Sequence, residues 1–179
     1  MACLNFISSY IKGVFVLATA IQGKKVIYKY RVLGATTAAF LVGFTTENSR
    51  TVSVDADITA TKDGGIRTAG VPEIEITCES ILQKDDTAIK AIEDAMLAGT
   101  AFEIWEINLE QAGTGQNKYK GKYYQGYCTE LEKTSNAEDF CEISLTFGID
   151  GIGADGDCTV TSAEIEAATY TFKDTVATT

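Results

Sequence analysis

Residues 45–75 have the sequence T-T-E-N-S-R-T-V-S-V-D-A-D-I-T-A-T-K-D-G-G-I-R-T-A-G-V-P-E-I-E. Its first part alternates, with Val52 and Val54 on one face and polar residues on the other, which is typical of a half-buried strand. From Ala56 to Val71 the apolar pattern stops, although threonine and isoleucine still favour extended structure. A connection this long without its own core is uncommon in a compact domain. We expect an arm at about residues 47–73 that becomes ordered against another molecule; a flexible surface loop is the alternative.

The size and composition of the chain indicate one domain. Its 179 residues, 45% hydrophobic and 22% charged, are ordinary for a globular protein with a single core. A single proline and abundant threonine, valine, isoleucine and tyrosine favour strands. No apolar run reaches the length of about 20 residues that a membrane-spanning helix needs. We therefore predict one domain over residues 1–179.

Charge is distributed unevenly along the chain. Residues 1–46 contain five basic residues and no acid, whereas the remainder carries 10 basic and 25 acidic residues, a net charge of −15. Such a chain can associate head to tail, or the two parts can pack together within the domain. The net charge of −10 makes nucleic acid an unfavourable binding partner. Five cysteines without a metal-ligand spacing favour a reducing compartment.

Alternating strands and one helix account for most of the chain. Apolar alternation predicts strands at 14–20, 26–32, 40–46, 73–79, 102–109, 118–127 and 141–147, and a last edge strand at 170–172. A helix at about residues 86–98 places Ile89, Ile92 and Met96 on one face, towards the strand that contains Trp105. The remaining residues, about 149–179, form a C-terminal extension. The predicted class is mainly β, with two packed sheets and one flanking helix.

The motifs of common enzymes are missing from this sequence. The chain has no histidine, which removes histidine-dependent nucleophilic catalysis and the usual zinc ligand sets. The segment Gly153–Glu164 resembles a calcium-binding EF-hand loop, but glycine and cysteine stand where aspartate and glycine are needed. We expect an Asp-Gly turn there, followed by a capping box between Thr161 and Glu164. We predict no enzymatic activity, cofactor or catalytic residue.

Seven blocks of sequence, taken together and in order, resemble the major tail protein of long, non-contractile-tailed bacteriophages of Gram-positive hosts. They span nearly the whole chain: Y-R-V-L at Tyr30, T-A-T-K-D-G-G-I-R-T-A-G at Thr59, D-A-M-L-A-G at Asp94, E-I-W-E-I at Glu103, N-K-Y-K-G-K-Y-Y-Q-G-Y at Asn117, A-E-D-F-C-E-I-S-L-T-F-G-I at Ala137 and Y-T-F-K-D at Tyr170. The loop after Phe147 has no counterpart in this resemblance.

The resemblance implies a structural virion protein and its partners. It implies a tail-tube fold, hexameric rings stacked head to tail into a hollow tube, and assembly in the host cytoplasm. It also implies contacts with a tape-measure protein and with proteins at the tail ends, and transient passage of double-stranded DNA without specific binding. Two alternatives remain open: a monomeric β-sandwich module that binds a carbohydrate or receptor, and a tube subunit of a phage-tail-like bacteriocin or secretion machine.

Three groups of residues are expected to serve assembly and transport, beside the helix face given above. The arm would contact other subunits, and a basic N-terminal face would meet an acidic neighbour. The polar faces of two strands would line the channel, because an acidic wall does not retain DNA; these acids could equally face outside solvent. The arm residues are Ile58, Thr59, Thr61, Lys62, Asp63, Ile66 and Arg67, the basic residues are Lys25, Lys29 and Arg31, and the channel residues are Glu73, Glu75, Thr77, Glu79, Glu142, Ser144 and Thr146.

Overall fold

The computed structural model describes residues 20–169, which form six strands and two α-helices. The strands are β1 (Val26–Val32), β2 (Thr45–Thr61), β3 (Gly64–Ile81), β4 (Phe102–Ala112), β5 (Lys118–Thr134) and β6 (Glu142–Thr159), and the helices are α1 (Thr87–Leu97) and α2 (Ser162–Thr169). A 3-10 turn at Gly23–Lys25 precedes β1. The strands predicted at 14–20 and 170–172 lie outside the described residues, apart from residue 20.

The predicted mainly β class with a flanking helix is confirmed, but the expected two sheets are one. All six strands form a single antiparallel sheet in the order β1-β4-β5-β6-β3-β2. The strand expected at 40–46 is reduced to one bridge between Tyr30 and Phe40, and β2 begins only at Thr45. A single sheet replaces two because β5 and β6, at 17 and 18 residues, run through both halves of the molecule.

This sheet folds over so that its two halves enclose the core. The ring of Tyr30 on β1 stacks on Phe147 of β6 at 5.1 Å between centroids, and Phe102 of β4 meets the same ring edge-on at 5.6 Å. Strands β1 and β4 are not neighbours of the central part of β6, so these contacts cross the core. Aromatic contacts and buried aliphatic side chains from both halves supply the main stabilisation.

Glycines permit the bend between the two halves. A Cβ on Gly126 of β5 would lie 2.1 Å from the carbonyl oxygen of Gly148 on β6. Gly153 has φ +73°, and a Cβ there would lie 2.6 Å from the ring of Tyr124. Register shifts in β5 between Tyr123 and Gln125, and between Cys128 and Glu130, bend the strand at the same level.

Helix α1 covers the core beside β5. Its N-cap is Asp86, whose side chain accepts hydrogen bonds from the amides of Ala88 and Ile89, both at 3.0 Å. Ile89 and Ile92 are buried and Met96 is half-buried against the core. The helix approaches β5, whereas the sequence placed it against β4, the strand of Trp105.

The segment after Phe147 differs from its prediction. Ala154–Thr159 continues β6 and pairs with Lys118–Tyr123 of β5, so the expected Asp-Gly turn is wrong. The left-handed conformations at Gly151 and Gly153 let the strand bend without turning back. The capping box is confirmed: Glu164 Oε2 accepts from the amide of Thr161 at 2.9 Å, and Thr161 Oγ1 accepts from the amide of Glu164 at 3.3 Å.

A core substitution in α1 tests the packing of the helix. Ile92→Ala removes a fully buried side chain and should lower the free energy of unfolding by about 2–5 kcal/mol, because a cavity forms. Leu97→Ala on the same helix is the control, since Leu97 is 80% exposed and should change stability by less than about 0.5 kcal/mol. Chemical denaturation measures both. Equal effects of the two substitutions would contradict the packing.

Candidate functional site: a polar sheet face and an exposed hairpin

Strands β3 and β6 place all seven predicted channel residues on one face of the sheet. In the antiparallel register Thr77 lies opposite Thr146, and Glu79 lies opposite Ser144. The alternate residues of both strands turn to the core: Ile74, Ile76, Cys78, Ile143, Leu145 and Phe147 are buried, and Cys141, just before β6, is half-buried. The structure therefore brings the predicted residues together as neighbours on the solvent side of the sheet.

The flanking strands widen this polar face beyond what the sequence predicted. On β2, Glu47 lies opposite Glu79, and the hydroxyls of Ser49 and Thr77 share a hydrogen bond of 2.8 Å. On β5, Glu130 and Glu132 lie opposite Thr146 and Ser144. The sequence signal for β5 was the alternation of acids and Thr134 after residue 128, which a bulge shifts out of phase with the first half of the strand.

We define the acidic face as the solvent-side positions of these four strands. Among the described residues it carries seven glutamates and no lysine or arginine. Its members are Glu47, Ser49, Thr51, Ser53, Glu73, Glu75, Thr77, Glu79, Glu130, Glu132, Thr134, Glu142, Ser144, Thr146 and Gly148. Like charges directly opposite each other, as at Glu47 and Glu79, weaken a sheet. A face of this composition repels polyanions within a Debye length of about 8 Å at physiological salt.

The predicted arm is a β-hairpin that leaves the body of the sheet. Strand β3 pairs with β6 only from Ile74 onwards, so residues 64–73 pair with β2 alone. These ten residues extend about 33 Å, at roughly 3.3 Å per residue. We call residues 53–73 the arm. Both of its faces are exposed, including the aliphatic side chains of Val54, Ile58, Ile66 and Val71.

The arm residues named from the sequence all lie at or near the tip of this hairpin. Ile58 lies opposite Arg67, and Thr59 lies opposite Ile66, so each face of the hairpin carries one isoleucine. Lys62 and Asp63 form the turn between β2 and β3. An isolated two-stranded hairpin is marginally stable in water. The arm therefore has the exposure and the apolar content of a segment that packs against another molecule.

The basic N-terminal residues lie in a different environment from the one that the sequence suggested. Lys29 is only 7% exposed, and its Nζ forms an ion pair with Glu164 of α2 at 2.9 Å. Arg31 pairs with Glu103 on β4 at 2.6 Å and stacks over the ring of Trp105. Lys25 is half-buried. Lys29 and Arg31 thus hold the chain together internally and do not form a free contact face.

These ion pairs shift the pKa values of their carboxylates. The hydrogen bond from Arg31, together with one from the Tyr123 hydroxyl, lowers the pKa of Glu103. Burial works to raise the pKa of Glu164, but hydrogen bonds from Lys29 and Thr161 hold it below the ordinary value. Helix α2 is therefore attached to β1 by a charged contact that needs Glu164 ionised.

A polar cleft of about 500 Å³ opens on the core side of the sheet. An ion pair between Arg50 and Glu106 at 2.8 Å lines it, together with Lys120, which pairs with Asp157 at 2.6 Å. Hydrogen bonds from Lys120 and from the Thr114 amide lower the pKa of Asp157 to about 2. Within residues 20–169 no group of three or more potential ligands is arranged to hold a metal ion, and no helix is long and apolar enough to cross a membrane.

Comparison with known proteins gives a consistent result for this fold. Residues 20–153 match the family described as phage tail tube protein. The "Putative tail protein" of Staphylococcus phage phiMR25 is 28% identical over 154 residues, which cover 83% of this chain and 80% of that protein.

Two solved structures share the architecture at low sequence identity. The SPP1 tail tube structure has a TM-score of 0.70 and 19% identity, and the match covers 86% of this chain and 87% of that one. The tail of an empty gene transfer agent particle, determined with C6 symmetry, has a TM-score of 0.56 and 13% identity, with coverage of 75% and 98%. At these identities the structural matches establish the fold.

The attachment of α2 gives a prediction with a defined pH dependence. Glu164→Gln leaves the buried Lys29 ammonium without a counter-charge and should cost about 1–3 kcal/mol of stability. Asp94→Asn is the control, because its pair with Lys90 is exposed and contributes less than about 0.5 kcal/mol.

The sign of the pH effect follows from the lowered pKa of Glu164. Its stabilising contribution is complete above the ordinary carboxylate pKa, and it is lost as the pH falls through the lower pKa of the folded state. Between pH 7 and pH 3 the stability difference between wild type and Glu164→Gln should therefore shrink. Denaturation curves at several pH values measure it; a difference that stays constant or grows would contradict the ion pair.

Proposed function

The chain belongs to the phage tail tube protein family, and from that membership we propose that it polymerises as stacked hexameric rings. The rings form a hollow tube through which double-stranded DNA passes to the host. The observation that carries the proposal is the combination of this family's fold with an arm that nothing else within residues 20–169 covers. The exposed aliphatic side chains of such an arm are energetically unfavourable in a monomer, whereas in a polymer they could pack against a neighbouring subunit.

Ring closure has a physical basis in the open edges of the sheet. Strand β2 is an edge strand, and residues 127–134 of β5 pair with β6 but not with β4. Unpaired edges of this kind readily pair with another chain. Pairing of β2 of one copy with β5 of the next is a heterologous contact, which closes into a ring when the rotation per subunit allows it. The six-fold symmetry of the gene transfer agent tail supports six subunits.

In this arrangement the acidic face lines the channel. If the sheet continues from one copy to the next around a ring, the acidic face of every copy points the same way, either into the channel or away from it. The inward orientation suits DNA transport. A wall of lysine and arginine would retain DNA, since each phosphate contact releases counterions and adds affinity. The glutamates of the acidic face instead hold the duplex away from the wall over a distance of about 8 Å at physiological salt.

The remaining partners and the location follow from the same role. The protein would be a component of the virion, assembled in the host cytoplasm, with a tape-measure protein inside the tube and further proteins at its ends. It would act without enzymatic activity, cofactor or membrane association. A tube subunit of a related phage-tail-like machine would have the same surfaces and differ only in its cargo.

Electron microscopy of the purified chain tests the proposal. Negative-stain images of the concentrated protein should show rings or tubes of uniform width. A protein that stays monomeric at all concentrations, as a carbohydrate- or receptor-binding module would, contradicts it. Added tape-measure or end proteins are not needed for this outcome if the arm and the sheet edges supply the contacts.

Removal of the arm separates folding from assembly. Replacing residues 56–71 by an Asn-Gly turn should leave a folded monomer, because none of the removed side chains belongs to the core. The variant should form no tubes. Circular dichroism and sedimentation velocity check the fold and the assembly; normal tubes from this variant would show that the arm is dispensable.

Charge reversal on the acidic face separates assembly from transport. Glu75→Lys combined with Glu142→Lys changes solvent-exposed side chains and should still permit tube assembly. DNA release from virions that carry this variant should be slower, because two lysines per subunit attract the phosphates.

A matched double variant controls for the change in net charge. Glu93→Lys with Glu110→Lys adds the same charge outside the acidic face, and Glu93 lies on α1 and Glu110 on β4. Release triggered in vitro and followed with a DNA-binding dye compares the two. If both variants release DNA at the wild-type rate, the acidic face does not line the channel.

A further inference from the structure

One ion pair joins two strands that are far apart in the order of the sheet. Strand β2 is the last strand of that order and β4 is the second, with β5, β6 and β3 between them. Arg50 of β2 nevertheless lies against Glu106 of β4, and its Nε donates to Glu106 Oε2 at 2.8 Å. These two strands can meet only across the inside of the folded sheet. The ion pair therefore forms only when the sheet is folded over.

Arg50 lies at the base of the arm, just before the arm leaves the body of the sheet. It lies opposite Ile76 of β3, and at that level β3 still pairs with β6, with Ile76 opposite Phe147. The arm begins at residue 53, where the partner residue on β3 has no further strand beside it. The ion pair thus ties the base of the arm to the half of the sheet that contains β1 and β4.

Little else holds β2 to that half. Within residues 20–169, one other side-chain hydrogen bond links β2 to β1 or β4: the Tyr30 hydroxyl donates to Asn48 Oδ1 at 3.5 Å, which is long for such a bond. Arg50 and Glu106 both line the polar cleft of about 500 Å³, and apart from two glycines the other lining residues are polar or charged. At this level the two halves are therefore joined by the ion pair and not by packed apolar side chains.

A second hydrogen bond holds Glu106 in place as the partner of Arg50. The hydroxyl of Tyr124, on the neighbouring strand β5, donates to Glu106 Oε2 at 3.2 Å. Burial raises the pKa of Tyr124 to about 12, so this hydroxyl keeps its proton and remains a donor at neutral pH. The carboxylate therefore has a fixed position on β4 when Arg50 binds to it.

We propose that the Arg50–Glu106 pair is a latch that fixes the angle between the two halves of the sheet and so sets the direction of the arm. The inference rests on the proposed function, in which copies of the chain assemble into stacked rings. Arg50 and Glu106 are positioning residues, because they act through the arm and not through a contact of their own with another copy. An open latch leaves the arm in the required direction for only a fraction of the time, and the apparent affinity for the next copy falls by that fraction.

Removal of the latch is compared with removal of a second ion pair at the same cleft. Lys120 pairs with Asp157 at 2.6 Å, but their strands β5 and β6 are neighbours, so this pair joins no separated parts of the sheet. Both pairs are partly exposed, and each should contribute little to stability. Arg50→Ala should raise the protein concentration needed for assembly about tenfold, Arg50→Lys should restore it to within about threefold, and Lys120→Ala should leave it unchanged. Sedimentation velocity measures assembly; equal assembly of Arg50→Ala and Lys120→Ala would overturn the proposal.

Hydrogen–deuterium exchange below the assembly concentration tests the latch in the free subunit. Amides of residues 45–54 should exchange roughly tenfold faster in Arg50→Ala than in Lys120→Ala, because β2 then opens locally. Glu106→Gln removes the charge and keeps the shape of the side chain, and it should speed the same amides if Arg50→Ala does not fold. Exchange equal to that of Lys120→Ala, with normal tubes, would overturn the latch alone. An unmodified chain that forms no rings or tubes would instead overturn the proposed function, and with it the role of the latch in assembly.

Discussion

The backbones of β5 and β6 approach each other closely at Gly126 and Gly148, where the sheet folds over. No side chain fits between these backbones, because a Cβ on Gly126 would lie 2.1 Å from the carbonyl oxygen of Gly148. The bend that follows lets two long strands pass through both halves of the sheet. It brings Tyr30 and Phe102 onto Phe147 across the core. The absence of a side chain at Gly126 thus permits the close approach at which the sheet folds over its interior.

This same bend produces the arm. Beyond Ile149, β6 follows β5 into the other half of the sheet, so β3 loses its partner at Ile74. The hairpin of β2 and β3 then continues alone into solvent with exposed aliphatic side chains on both faces. Folding of the subunit and the surface available for assembly therefore have one geometric origin. Exposure of these aliphatic side chains costs free energy, and association with another copy would remove that cost by burying them.

Local periodicity made much of the fold predictable from the sequence. Alternation in β3 and β6 identified which side chains are buried, and the Thr161–Glu164 capping box marked the start of a helix. The seven acidic and hydroxyl residues of β3 and β6 were correctly grouped by this period alone. Their neighbours on β5 were missed because the bulge between Cys128 and Glu130 shifts the phase of the pattern. Those on β2 were missed because alternation within one strand does not show which strand pairs with it.

Long-range contacts were beyond the reach of sequence patterns. Nothing local showed that Lys29 would be buried beneath α2, since Glu164 lies 135 positions away in the chain. Glycines at positive φ allowed Gly153–Thr159 to remain a strand where the Asp and Gly content indicated a turn. Whether strands belong to one sheet or two depends on a single bend, which period-two alternation does not encode.

A helical reconstruction of the assembled tube by cryo-electron microscopy would place the acidic face and the arm of every subunit in one density map. We expect six copies per ring, with the acidic face turned to the channel and the arm in contact with an adjacent ring. A map in which the acidic face lies on the outer surface of the tube, or in which the arm contacts only its own subunit, would contradict it.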